Sequence, residues 1–234
     1  MINSHNTSTQ TNDSNHQQFP WHQKCWSNFL TARAKNHLPH AILLCGEQGI
    51  GKLSLAERMA KSLLCMNTVI DAADSCNQCQ SCRTYESGAN PDYLHIGLLE
   101  DKKQIGVDQI RALSEFLNYS RSYNTYRVVI INPVERMNIN AANSLLKSLE
   151  EPTDNTVIIL VTAKVSDLLA TIRSRCQLFT VTSPSKDESL QWLTQNINTT
   201  TDDSLSAAEL FEMVGSSPLN AKNINSNPIP ISPS

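Results

Sequence analysis

The sequence predicts an α/β fold, a mostly parallel sheet with helices on both sides, followed by a small helical lid. Three observations carry this. Short apolar runs at 41–45, 93–96, 127–131, 156–162 and 178–181 alternate with stretches of helical apolar spacing, as in repeated strand-helix-strand units. A glycine-rich turn, Gly46-Glu47-Gln48-Gly49-Ile50-Gly51-Lys52, joins the first run to a helical pattern. Behind it, Cys65, Cys76, Cys79 and Cys82 form a C-x10-C-x2-C-x2-C cluster.

Residues 1–19 are mostly Asn, Ser, Thr, Gln and His, too polar to offset the entropy of ordering, and are expected to form a disordered tail. From Pro20 the pattern changes, and Trp26, Phe29 and Leu30 recur at helical spacing. The run 41–45 suits a strand covered on both faces. After Lys52 the spacing of Leu55, Met59, Leu63 and Leu64 predicts a helix, and the polar stretch 67–75 reads as a loop for a metal to staple down. Helices are expected over 107–119, 141–151 and 167–173, with Pro152 stopping the second because proline disfavours helical geometry in the residue before it. Beyond Ser183-Pro184 the strands cease; Leu190, Trp192 and Leu193, then Leu205, Ala208, Leu210, Phe211 and Val214, predict two lid helices. The expected organisation is a tail over 1–19, an α/β domain over 20–183 with a metal module at about 65–82, a helical lid over 184–222, and a second tail over 223–234.

At 234 residues the chain can bury one good core with a small second domain. A net charge of -3 provides no global basic field, so work near nucleic acid would use a local patch or a partner. No apolar run approaches the roughly 18 residues that span a bilayer. The first 19 residues lack the basic start and apolar stretch of a secretory signal, so a cytoplasmic location is expected. There are seven cysteines, and in a reducing compartment clustered ones hold metal more often than they form disulfides. Cys45 and Cys176, in or beside strand patterns, read as small buried groups.

The glycine loop satisfies most of G-x4-G-K-[ST], in which backbone N–H groups at a helix N-terminus face phosphates and the lysine neutralises their charge. Gly46, Gly49, Gly51 and Lys52 are in place, but Leu53 stands where a hydroxyl should ligate Mg²⁺, and Ser54 lies about 100° further round the helix. Both a degenerate site for ATP or ADP and a plain strand-to-helix turn fit. A nucleotide motor also needs an acidic pair after a later strand, and the run 127–131 ends instead in Asn132-Pro133. Glu135 follows, with nothing in the sequence to place it over a phosphate. Hydrolysis by this chain is therefore not expected. The four cysteines suit tetrahedral Zn²⁺ better than an iron–sulfur cluster or free thiols. Arg175, in Ser174-Arg175-Cys176, is either a solvated charge or a group presented to something outside the domain.

The cysteine insert, Asn90-Pro91-Asp92-Tyr93, the stretch Asn143-Ser144-Leu145-Leu146-Lys147-Ser148-Leu149-Glu150-Glu151-Pro152, and Thr171-Ile172-Arg173-Ser174-Arg175-Cys176 together resemble the AAA+ clamp-loader family of bacterial DNA polymerase III, from about Pro20 to Ala221. The resemblance implies an AAA+ P-loop NTPase-like sheet with a zinc-binding insert. It implies a largely non-hydrolysing stator that helps load the sliding clamp onto primed DNA within a DNA-directed DNA polymerase holoenzyme. Other clamp-loader subunits, gamma/tau and delta, would be its partners, with the clamp and primer-template DNA contacted indirectly. Arg175 would act in trans as an arginine finger on ATP held by a neighbouring subunit, and Thr162 would fall at or near the first sensor position. No arginine stands near 215–219, where the second sensor belongs. The C-terminal collar domain of the family is absent from these 234 residues. A slow nucleotide-binding ATPase and a free-standing zinc adaptor on the same fold are the alternative readings.

Overall fold

The computed structural model describes residues 18–67, 74–119, 122, 124–197, 206–213 and 217–226. Five strands, β1 (Ala41–Cys45), β2 (Tyr93–Ile96), β3 (Arg127–Ile131), β4 (Thr156–Thr162) and β5 (Gln177–Thr180), form one parallel sheet in the order β2-β3-β4-β1-β5. Central strands β1, β3 and β4 are buried at every position, which is why they read as unbroken apolar runs.

Alternation along those strands divides the core into two layers. Ile42, Leu44, Val128, Ile130, Ile159 and Val161 face α1 (Gln23–Ala34), α2 (Lys52–Leu64) and the lid. Leu43, Val129, Ile131, Ile158 and Leu160 face α4 (Val107–Asn118), α5 (Ile139–Glu150) and α6 (Ala170–Arg173). The period of two in a pleated strand sends neighbouring side chains to opposite faces, so each run supplies both layers.

The differences from expectation are local. A helix not read from sequence, α3 (Gln80–Glu86), lies within the cysteine module. It has no apolar stripe, and its start is set by Cys79, whose sulfur accepts the N–H of Cys82. The third strand-crossing helix starts at Ile139, two residues early, because Asn138 caps it by accepting from the Ala141 N–H at 2.8 Å. It ends at Glu150, and Glu151 before Pro152 leaves helical geometry (φ -121°, ψ 70°). The helix expected over 167–173 is broken: a 3-10 turn spans Val165–Asp167, Leu169 is extended at ψ 136°, and only α6 follows.

The lid has three described helices rather than two: α7 (Lys186–Asn196), α8 (Ala207–Met213) and α9 (Pro218–Ser226). Ser185 and Glu188 form a capping box that starts α7. Because α9 runs to Ser226, helical structure continues past the expected end of the lid at 222 and into the stretch from 223 expected to be a tail. At the other end Phe19, assigned to the first tail, is buried at 4% exposure against Trp21, His22 and Trp192. The rest of the two expected tails, 1–17 and 227–234, lies outside the described residues.

Candidate functional site

The glycine loop leaves the C-terminal edge of β1 and enters α2. Gly49 (φ 76°) and Gly51 (φ 79°) occupy left-handed backbone that side-chain-bearing residues avoid. Gly46 is needed for space: a Cβ there would meet the Val181 carbonyl oxygen at 2.7 Å and Ile50 Cδ1 at 2.8 Å. Gly51 caps α2 without a side chain, leaving the first N–H groups of the helix facing a cleft of about 730 Å³.

Lys52, Asn132, Glu135 and Thr162 share that cleft. Lys52 is 8% exposed, and its Nζ donates to the Glu47 carbonyl of its own loop at 2.5 Å. Burial pushes its ammonium below the ordinary value, against the pull of the Glu135 carboxylate. Thr162, at the end of β4, is buried and accepts the Lys164 N–H at 2.9 Å. Oε1 of Glu135 accepts the Ala163 N–H at 3.2 Å, while its buried Oε2 has no hydrogen-bond partner among the described residues. Leu53 and Ser54 both line the cleft, so the position that should offer a hydroxyl offers an isobutyl group.

Two further segments cover the loop. Ser217 Oγ and the Leu219 N–H both donate to the Gly49 carbonyl at 3.3 Å, docking the start of α9 on it. From the N-terminal side, Trp21 Nε1 and His22 Nε2 meet the Ile50 carbonyl at 2.8 Å and 2.7 Å. A carbonyl partner requires the hydrogen on His22 Nε2, and burial holds the ring neutral, with its pKa lowered to about 4. Phe19 lies against Gly51, where a Cβ would come within 2.6 Å of its ring.

At the far end of α2, the four cysteine sulfurs lie within 4.8 Å of one another. Tetrahedral thiolates about 2.3 Å from one ion stand about 3.8 Å apart, so this set can close on a metal with small side-chain adjustments. Cys65 and Cys82 are buried, Cys76 and Cys79 partly exposed. Backbone N–H groups already serve the sulfurs: Cys76 N to Cys65 Sγ and Cys79 N to Cys76 Sγ at 3.3 Å, and Cys82 N to Cys79 Sγ at 3.4 Å. The Gln78 backbone N–H leads in lowering the Cys76 thiol to about 6, whereas burial raises the Cys82 thiol. The module is tied to α2 by Arg58, bidentate to Asp74 at 2.7 and 2.6 Å with its guanidinium 4.0 Å above the Trp26 ring, and by the Lys61–Glu86 ion pair. On the sheet side, Asp92 is fully buried and accepts from Ser122 N, Asn124 N and Asn124 Nδ2, while Asn90 Nδ2 donates to Ser81 of α3.

Arg175 follows α6 and is not among the described residues lining the cleft. Its Nη2 pairs with Glu150 at 2.6 Å and its Nη1 donates to the Thr171 carbonyl at 2.9 Å.

A family profile described as "DNA polymerase III, delta subunit" matches residues 21–185. The DNA polymerase III subunit delta' of Pseudomonas aeruginosa is 41% identical over 207 residues, covering 88% of this chain and 61% of that protein. The chain belongs to the DNA polymerase III delta-prime family. The Escherichia coli delta' subunit is 30% identical, over 82% of this chain and 57% of that protein. Subunit tau of Bacillus subtilis is 37% identical over 140 residues, 60% of this chain and 24% of that one. The chain thus spans less than two-thirds of the length of these relatives. Among solved structures, a gamma subunit-related protein of Thermotoga maritima aligns with TM-score 0.51 and 26% identity, over 84% of this chain and 58% of that one. The RuvB branch migration motor of the same organism aligns with TM-score 0.52 at 17% identity, over 87% and 59%, a likeness of fold. The AAA+ P-loop-type sheet expected from the motifs is therefore the fold of this chain.

The structure gathers Gly49, Gly51, Lys52 and Thr162 at one cleft and the four cysteines at one point. It sets Arg175 apart from both. Missed from sequence were the covering residues Phe19, Trp21, His22 and Ser217. The density of aromatic residues in Phe19-Pro20-Trp21-His22 beside a polar tail was the available signal for the first three. Ser217 offered none.

Proposed function

We propose that the chain is a subunit of the DNA polymerase III clamp-loader complex, a largely non-hydrolysing stator that helps load the sliding clamp onto primed DNA. Its partners are the gamma/tau and delta kinds of subunit, with clamp and primer-template reached through them, in the cytoplasm. Arg175 is offered to ATP held by a neighbour, placing fixed positive charge where phosphate charge develops. Cys65, Cys76, Cys79 and Cys82 hold a structural zinc ion, which as a closed four-thiolate site ties down the insert without taking part in chemistry.

The observation that carries this reading is the state of the chain's own cleft. Leu53 replaces the metal-binding hydroxyl, Asn132 and Pro133 replace the acidic pair, and Lys52 is turned onto the Glu47 carbonyl. Membership of the delta-prime family and the likeness to tau support the assembly. No described helix is long and apolar enough to cross a membrane.

One observation favours a second reading, a slow ATPase of the same fold: Glu135 brings an unpartnered carboxylate oxygen to the cleft that holds Lys52. The two separate on ATP binding and hydrolysis by the purified chain, measured alone and then with motor subunits, clamp and primed DNA. The stator reading expects no hydrolysis alone and stimulation in the mixture that Arg175→Ala removes. Robust hydrolysis by the chain alone, lost in Glu135→Gln, would make it a motor.

A further inference from the structure

Arg175 does not project freely from the domain. Its guanidinium is held by α6 and the end of α5: Nη1 donates to the Thr171 carbonyl at 2.9 Å and to Ser174 Oγ at 3.4 Å, and Nη2 pairs with the carboxylate of Glu150, the last residue of α5, at 2.6 Å. The C-terminal end of α5 carries partial negative charge, which favours a cation there over an incoming phosphate. The Glu150 carboxylate adds a full negative charge on the same side.

We infer that Glu150 is the positioning residue for Arg175: it holds the guanidinium back against its own domain, and a neighbour's phosphates must displace its carboxylate before Arg175 engages them. This rests on the trans reading of Arg175. The two side chains are 34% and 49% exposed, so water and salt screen the pair and exchange of one anion for another is easy. A polyphosphate, with several charges and oxygen pairs that match the guanidinium fork bidentately, outcompetes one solvated carboxylate. The pair thus biases Arg175 towards its own domain, and a loaded neighbour shifts that balance.

The test measures ATP turnover by the motor subunits at saturating amounts of this chain, comparing wild type, Glu150→Gln, Arg175→Ala and the double variant. Glu150→Gln keeps the side-chain shape and removes the competing charge. Turnover is expected to rise about two- to fivefold, the range an exposed ion pair can hold back. The gain should fade as salt is raised and be absent in the Arg175→Ala background, while the thermal midpoint of the chain stays unchanged. A purely structural role for Glu150 would instead lower turnover and midpoint together. Unchanged or reduced turnover in a folded Glu150→Gln chain, with stimulation still dependent on Arg175, overturns the inference about Glu150 alone. Stimulation that is absent in wild type, or survives Arg175→Ala, overturns the trans reading and this inference with it.

Discussion

Replacing Gly49 by Ala should loosen the contact between the lid and the glycine loop. Two effects add. An alanine held at φ 76° is strained by about 1–2 kcal/mol, because its Cβ crowds the following carbonyl oxygen. That Cβ would also stand 1.7 Å from Ser217 Oγ and 3.0 Å from Ser217 Cβ. The serine must rotate away, forfeiting its bond to the Gly49 carbonyl, which is worth about 1 kcal/mol. The expected loss is therefore about 2–3 kcal/mol. Urea unfolding followed by tryptophan fluorescence is a suitable assay, since Trp21 and Trp192 pack together at 5.7 Å beside the loop. In a Ser217→Gly background the obstructing atoms are gone, and the penalty for Gly49→Ala should shrink to about 1–2 kcal/mol, the backbone part alone. A penalty under about 0.5 kcal/mol, or one equal in both backgrounds, would refute the account of the dock.

Cys79→Ser should release bound zinc and lower the thermal midpoint, because Cys79 both contributes a sulfur and caps α3; metal retained at one equivalent per chain, read by a chromophoric chelator, would contradict the four-thiolate assignment. Asp92→Ala should destabilise the chain by about 2–4 kcal/mol in chemical denaturation, since it strands the Ser122 and Asn124 donors that the buried carboxylate serves; a wild-type midpoint would speak against that network. Two groups act oppositely on pH dependence. His22, lowered to about 4 by burial, favours the fold above pH 6.5 and withdraws that support as pH falls towards 4; Glu57, raised to about 7 by burial with Glu86 adding to the shift, favours the fold below pH 4.5 and withdraws support as pH rises through 7. Glu57→Gln should therefore gain stability relative to wild type between pH 4.5 and 7, and a difference that stays flat across that window would show that Glu57 titrates normally.

The central sheet was open to reading because Ala41–Cys45, Arg127–Ile131 and Thr156–Thr162 are covered on both faces, so burial writes itself as continuous apolar runs. The glycine loop was equally plain, since positive φ at Gly49 and Gly51 and close approach of Gly46 to Val181, just past β5, favour glycine. What stayed hidden depends on partners distant in sequence. Ser217 is an ordinary serine until it meets Gly49, 168 residues earlier. Glu150 and Arg175 each sit in a legible motif, but spacing along the chain says nothing of the ion pair between them. The short α3 escaped notice because sulfur capping and docking on α2 hold it, with no apolar period of its own. Glu135 was visible as an acid yet could not be placed, because the turn after β3 aims it.

Helix α2 begins at Lys52, in the phosphate-type loop, and hands over at its last residue to Cys65, the first of the four sulfurs. Its thirteen residues make a rod about 20 Å long. Trp21 and His22 grip the loop at one end, while the cysteine module holds the middle of the helix through Arg58–Asp74 and its last turn through Lys61–Glu86. A beam clamped at both ends resists sliding and tilting, so its two fittings keep a constant separation. Such a beam serves as a ruler: the cysteine cluster fixes the zero mark, and the glycine loop is held at a set distance from it.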